Sequence, residues 1–192
     1  MHSTAHTNAG KLLTALGVLI VLAGCANTAP TITSTDELAG TGDRVVFGQV
    51  QLIRNGTPVQ FGDGLMANTA VLNIYDPDSN RKFVGKLGED GEFSWALPSG
   101  TYEVESVAFR MHGQTVEPET SFTFTVSPDF DATYLGTVKI EGSFNGGYAG
   151  VTGTVDRFVV QDNCASDCQR RLDQLGMTNQ ASTSSLFRWD QQ

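Results

Sequence analysis

The sequence predicts a mainly β protein: an antiparallel β-sandwich of about seven or eight strands with one short C-terminal helix. Three observations carry this. From Arg44 to about Gln161, short stretches alternate apolar and polar residues, the period of strands buried on one face. Clusters of Gly, Pro, Asn and Asp punctuate them, and only residues 162–176 show helical spacing.

In the first strand Val46, Gly48, Val50 and Leu52 alternate with Phe47, Gln49, Gln51 and Ile53, and in the second Ala70, Leu72 and Ile74 share a side. A weaker stretch from Arg81 to Leu87 is joined to the next by Gly88-Glu89-Asp90-Gly91, whose Asp-Gly pair signals a tight hairpin. Phe93, Trp95 and Leu97 then face one way, and Leu97-Pro98-Ser99-Gly100 fits a β-turn. In the following strand Tyr102 and Val104 are out of phase with Val107, Phe109 and Met111, which requires a bulge near Glu105 and Ser106. Further strands are expected around Phe122, Phe124 and Val126, around Tyr134, Gly136, Val138 and Ile140, and from Thr152 to Val160 after the glycine-rich GSFNGGYAG. Ser166 followed by Gln169 makes a capping box, Cys168, Leu172 and Leu175 fall at helical spacing, and Gly176 suits a C-cap. Residues 177–192 read as a polar tail apart from Leu186, Phe187 and Trp189.

The N-terminus has a different character. Before Cys25 the only charged side chain is Lys11, followed by an apolar run from Leu12 to Leu22. These are the n- and h-regions of a signal peptide, and the run falls well short of the roughly 20 apolar residues of a membrane span. It ends in Leu22-Ala23-Gly24-Cys25, which resembles the lipobox of bacterial prolipoproteins. The resemblance implies cleavage after residue 24, diacylglycerol on the Cys25 thiol and a resident of the cell envelope. Two or three acyl chains at about 0.8 kcal/mol per buried methylene hold a protein almost permanently. Ala26 stands where lipoproteins kept in an inner membrane typically carry Asp, so in a host with two membranes the outer one, facing the periplasm, is implied. Residues 25–43, small and polar, read as a lipidated flexible tether to the sandwich domain at 44–161.

Gly91-Glu92-Phe93-Ser94-Trp95-Ala96-Leu97-Pro98-Ser99-Gly100-Thr101-Tyr102-Glu103-Val104 resembles the turn-strand-turn-strand signature of prealbumin-like domains, the group that includes carboxypeptidase regulatory-like modules. The resemblance implies a prealbumin-like or Ig-like sandwich and a non-catalytic module that supports, positions or binds something else. The long loop from Asn55 to Asn68 and the helical tail lie outside the signature.

Charge excludes some partners. The whole chain carries −9, and loss of Lys11 with the leader makes it −10. With no Lys/Arg cluster it lacks the footprint of a nucleic-acid binder, and lipid rather than basic surface must hold it to a membrane. Candidates for chemistry are few. His112 is the only histidine after the leader and has no Gly-x-Ser-x-Gly elbow beside it. Asp76-Pro77-Asp78-Ser79-Asn80 begins like a calcium loop, but Arg81 and Leu87 stand where an EF-hand needs Gly and Glu, so it reads as a turn. Glu103 and Glu105, and Glu117 and Glu119, read as solvated surface. No cofactor or metal is expected. Cys164 and Cys168, in an oxidising compartment, are expected to form a disulfide that pins the helix start, a redox role being the alternative.

Two stretches are candidate contact surfaces: Phe61 to Met66, with Phe61 and Leu65, and Leu186, Phe187 and Trp189 in the tail. The alternative for both is that they fold back over the sandwich. The expected role is a lipid-anchored structural or protein-interaction module of the envelope, with an envelope protein as partner. A small-molecule or glycan binder stacking its ligand on Trp95 or Phe61 is the second reading, and an envelope hydrolase the third.

Overall fold

In a computed structural model of the chain, the residues described are 27–62, 68–111, 114–147, 150–177 and 182–189. They build two packed sheets and one helix, the sandwich the alternation predicts.

The first sheet orders β1 (Asn27–Thr28), β5 (Arg81–Lys86), β4 (Thr69–Asp76), β7 (Gly100–Met111), β9 (Glu119–Val126) and β13 (Arg188–Trp189), with β8 (Gln114–Val116) also on β7. The second orders β11 (Gly150–Gln161), β10 (Ala132–Gly147), β2 (Arg44–Arg54) and β3 (Thr57–Val59), with β12 (Ser182–Ser184) on β10 and β6 (Glu92–Leu97) on β2. The longer strands are β2, β4, β5, β6, β7, β9, β10 and β11, which correspond to the expected set; the others are two- and three-residue additions at edges. Most pairs are antiparallel, but β10 runs parallel to β2 and to β12, and β1 runs parallel to β5.

The bulge lies where the phase shift puts it. Asn73 pairs with Ser106 and Ile74 with Val104, so Glu105 is the extra residue, and burial switches from Tyr102 and Val104 to Val107, Phe109 and Met111. The Asp90-Gly91 turn does not close a hairpin. It carries the chain from β5 in one sheet to β6 in the other, as Pro98-Ser99 carries it back to β7. The β2–β3 hairpin lies instead within the expected long loop, at Asn55-Gly56, whose φ values of 52° and 80° are those of a type I′ turn.

Trp95 and Phe93 stack near the middle of the core, ring centroids 4.0 Å apart, and the indole N–H donates to Lys86 O at 2.9 Å. Gly85 makes room for the indole, since a Cβ there would meet Trp95 Cζ2 at 2.5 Å. Tyr102, fully buried, donates its hydroxyl to Pro98 O at 2.7 Å, the anchoring used by tyrosine corners of sandwiches.

A second apolar layer covers the outer face of the β10–β2–β6 sheet. Val45 and Phe47, the alternate face of β2, pack with Ala96, Tyr134 and Leu172 beneath α1 (Cys164–Gln174). The helix starts two residues before the expected capping box: its N-cap is Asn163, and Ser166 lies inside the first turn. Asp162 Oδ1 accepts from Cys164 N at 3.0 Å at this end. The C-terminus has both Schellman bonds, Met177 N to Leu172 O at 2.7 Å and Gly176 N to Asp173 O at 3.1 Å. No helix among the described residues is long and apolar enough to cross a membrane.

Burial pushes the Tyr102 phenol well above its ordinary value, with Asp76 adding to the shift and Arg81 opposing it; burial raises Tyr134 too. Unfolded tyrosines ionise near pH 10, so the neutral folded phenols stabilise the protein fully below that pH and less as pH rises above it. Tyr102→Phe is expected to cost about 1 kcal/mol at neutral pH through the lost hydrogen bond. It should also flatten the fall in denaturation midpoint between pH 8 and pH 11; an unchanged fall would show that Tyr102 does not contribute.

Candidate functional site

The residue that carries the lipidation signature, Cys25, lies outside the described residues; from Asn27 onward the chain is paired with the sandwich. Asn27 and Thr28 pair with Phe83 and Val84 of β5, and Ala29 N donates to Val84 O at 3.1 Å. The chain then crosses to the other sheet: Thr31 bridges Trp95, Ile32 N donates to Ser94 O at 2.9 Å, and Ala96 N donates to Pro30 O at 3.0 Å. Ala29 and Ile32 are buried, one in each apolar layer. A one-turn 3₁₀ helix, Thr35–Leu38, follows, capped by Ser34, with Leu38 packed against the second layer.

Over residues 27–38, within the stretch 25–43 expected as a flexible tether, the chain is instead paired and packed. The stretch is polar on average, yet Ala29 and Ile32 help seat it, and the edges of β5 and β6 supply backbone partners. A composition average conceals two anchors spaced three residues apart.

Of the candidate contact residues, Phe61 and Phe187 are interior. Phe61 is buried against Phe109, ring centroids 6.3 Å apart, and its N–H donates to Glu89 O. Phe187 is 4% exposed and meets Phe124, Phe122 and Phe93 at 5.5, 5.8 and 6.5 Å. Leu186 is half-buried against the second layer. The backbone of Trp189 pairs with Phe122, whereas Leu65 and His112 fall outside the described residues. Residues 182–189 of the polar tail therefore form a strap. Ser182–Ser184 joins one sheet, Arg188–Trp189 joins the other, and Phe187 fills the space between. Ser185 serves both sheets, its N–H donating to Tyr134 O and its hydroxyl accepting from Thr125 N. Phe187→Ala should cost about 3 kcal/mol, because the surrounding rings leave a cavity that little else can fill. A denaturation midpoint equal to that of the parent chain would contradict this.

With Trp95 fully buried and Phe61 nearly so, neither presents a ring for a ligand to stack on. The glycan-binding reading loses the two residues on which it rested.

The acidic pairs do come together. Glu103, Glu105, Glu117 and Glu119 line an open groove of about 600 Å³ with Ser106 and Thr120. Glu105 is paired with Lys82 at 2.8 Å, and Glu117 accepts from Ser106 and Asn73. The ion pair is solvent-exposed on both sides, where such pairs contribute little. Among the described residues there is no cluster of three potential metal-binding side chains. The Asp76 turn is a turn: its Oδ1 accepts from the N–H groups of Asp78 and Ser79, and Asn80 takes a φ of 54°. Its carboxylate is turned inward on the chain itself.

Cys164 and Cys168 are joined, with Cα atoms 4.6 Å apart on the first turn of α1. The bond closes too short a loop to contribute more than about 2 kcal/mol. Next to it, Glu92 receives Arg170 at 2.9 Å and Arg171 at 2.8 Å, which fixes the helix across β6. Of the groups singled out for chemistry, Asp76, Glu105, Glu117, Cys164 and Cys168 are thus engaged in local bonds and pairs, while His112 lies outside the described residues.

In comparisons with known proteins the chain matches no family model, and no curated protein matches it significantly.

Proposed function

We propose that the chain is a cell-envelope lipoprotein, cut before Cys25 and held to a membrane by acyl chains on that residue, whose sandwich acts as a non-catalytic structural or protein-interaction module. The observation that carries this is Leu22-Ala23-Gly24-Cys25 at the end of an apolar run preceded by Lys11 alone. The Cys164–Cys168 bridge supports it, since stable disulfides belong to exported proteins. The interior placement of Trp95, Phe61 and Phe187 supports a scaffold more than a ligand pocket.

In a host with two membranes the protein belongs to the outer one, facing the periplasm, because Ala26 is not the Asp of retained lipoproteins. The mature charge of −10 speaks against nucleic acid as a partner and leaves an envelope protein as the expected one.

Detergent phase separation of cells producing the chain tests the anchor. The parent protein should enter the detergent phase and Cys25→Ala the aqueous phase; equal partition of the two would overturn the reading. Mild crosslinking in intact cells should join the anchored protein to a discrete envelope protein, and its recovery solely as an uncrosslinked species would count against an interaction role.

A further inference from the structure

We infer that the sandwich stands directly on the membrane, with the end that carries the 77–80 turn of the β4–β5 hairpin against the lipid head groups and the opposite end projecting outward. The inference rests on the lipid-anchor reading and adds to it an orientation and a contact surface.

The argument is one of chain length. Asn27 is already paired with Phe83, and Ala29, two residues further, is fully buried. Cys25 precedes Asn27 by two residues, which span at most about 7 Å when fully extended. An acylated sulfur at the bilayer interface therefore brings β1 to head-group level. No spacer remains to lift the domain away.

The direction follows from the register. β1 runs parallel to β5 and enters beside Phe83, two residues after that strand begins at Arg81, so the chain comes in from the 77–80 turn and heads away from it. The same end gathers the start of β2 at Arg44, opposite Leu97 of β6, and the start of β10 at Ala132, opposite Val45. It also holds Pro98-Ser99 and the 127–131 connection, because Gly100 pairs with Val126. The far end holds the Asn55-Gly56 turn, and the 88–91 crossing lies part-way toward it, beside Val50. The eleven residues of β2 separate the two ends by about 36 Å at 3.3 Å per residue.

Charge defines the lipid surface this end accepts. Asp43, Asp78, Asp129 and Asp131 stand there against Arg44 and Arg81, and Arg44 already donates to Pro128 O. Such an end favours zwitterionic head groups over anionic ones, which repel it. The far end, which nothing on the anchor side obstructs, is where an envelope partner has access.

The test uses the full acylated protein reconstituted in phosphatidylcholine vesicles that carry a head-group quencher. A fluorophore is attached at Asp78→Cys in one sample and at Thr57→Cys in another; both positions are exposed, and the native cysteines are lipidated or bridged. Quenching at position 78 should exceed that at position 57 several-fold. Inserting about twenty Gly/Ser residues between Ala26 and Asn27, with a reach of roughly 25 Å, should bring the two close to equality. If the protein co-floats with the vesicles yet both positions are quenched alike without the insertion, the orientation is wrong while the anchor stands. If it does not co-float at all, the anchor reading fails and takes the orientation with it.

Discussion

Trp95→Ala is expected to lower the stability of the protein by about 3–5 kcal/mol, the range for removing a large aromatic side chain from a rigid interior. The indole is fully buried, stacked on Phe93, and bonded to Lys86 O, so truncation opens a cavity and leaves a carbonyl without its donor. Collapse into the space is hindered because Gly85, the residue pressed against the ring, has no side chain to move. For a domain of this size the loss corresponds to a fall in melting temperature of roughly 6–20 °C. Trp95→Phe, which keeps most of the ring area, should recover more than half of it. Thermal unfolding followed by far-ultraviolet circular dichroism reads both; a shift for Trp95→Ala as small as that of a surface substitution would show that Trp95 is not central to the core.

The second large effect is expected at Gly91. Its φ is 74°, and a Cβ there would lie 1.8 Å from Val50 O, an impossible approach. Val50 N also donates to Gly91 O at 2.9 Å, so the turn cannot retreat without giving up that bond. Left-handed backbone costs a non-glycine residue about 1–2 kcal/mol, and a buried hydrogen bond lost with its partner left unpaired about 1–3 more. Gly91→Ala should therefore destabilise by about 4 kcal/mol. Gly56→Ala is the control: its φ is 80°, but nothing lies within 4 Å, so only the backbone term of about 1–2 kcal/mol applies. Denaturant midpoints of the two variants isolate the contact with β2. Equal losses would mean that the crossing does not press on β2 as described.

Gly91 also shows where reading the sequence reaches its limit. Asp90-Gly91 has the chemistry of a tight turn, and a turn is what forms; whether it folds a strand back onto its neighbour or throws the chain across to another sheet depends on which partners β5 and β6 find far away in sequence. β5 finds β4 and β1, and β6 finds β2. Local turn chemistry is common to both outcomes, so alternation and punctuation revealed the strands, the bulge at Glu105 and the sandwich, but not how the sheets were dealt. The parallel pairing of β10 with β2 is of the same kind. By contrast, Asn55-Gly56 is a hairpin signal in its own right, masked in the sequence because Thr57–Val59 is too short to announce itself as a strand.

The termini show a different difficulty. Residues 27–43 and 182–189 look polar on average, yet apolar side chains seat them, Ala29 and Ile32 foremost in the first and Phe187 in the second. Such stretches have no period to detect. What they have is isolated apolar residues out of keeping with their neighbours; Phe187 stands out in this way as a contact residue, and what it contacts is the core of its own chain. The anchoring of residues 27–32 has the larger consequence for function, since it removes the slack that a lipid tether would otherwise provide.

The intact mass of the protein extracted from membranes by detergent tests the central proposal most directly. The account predicts a chain beginning at Cys25 and heavier than its sequence by a diacylglycerol group, with or without a further acyl chain. A mass that still includes residues 1–24, or one with an unmodified Cys25, would contradict it.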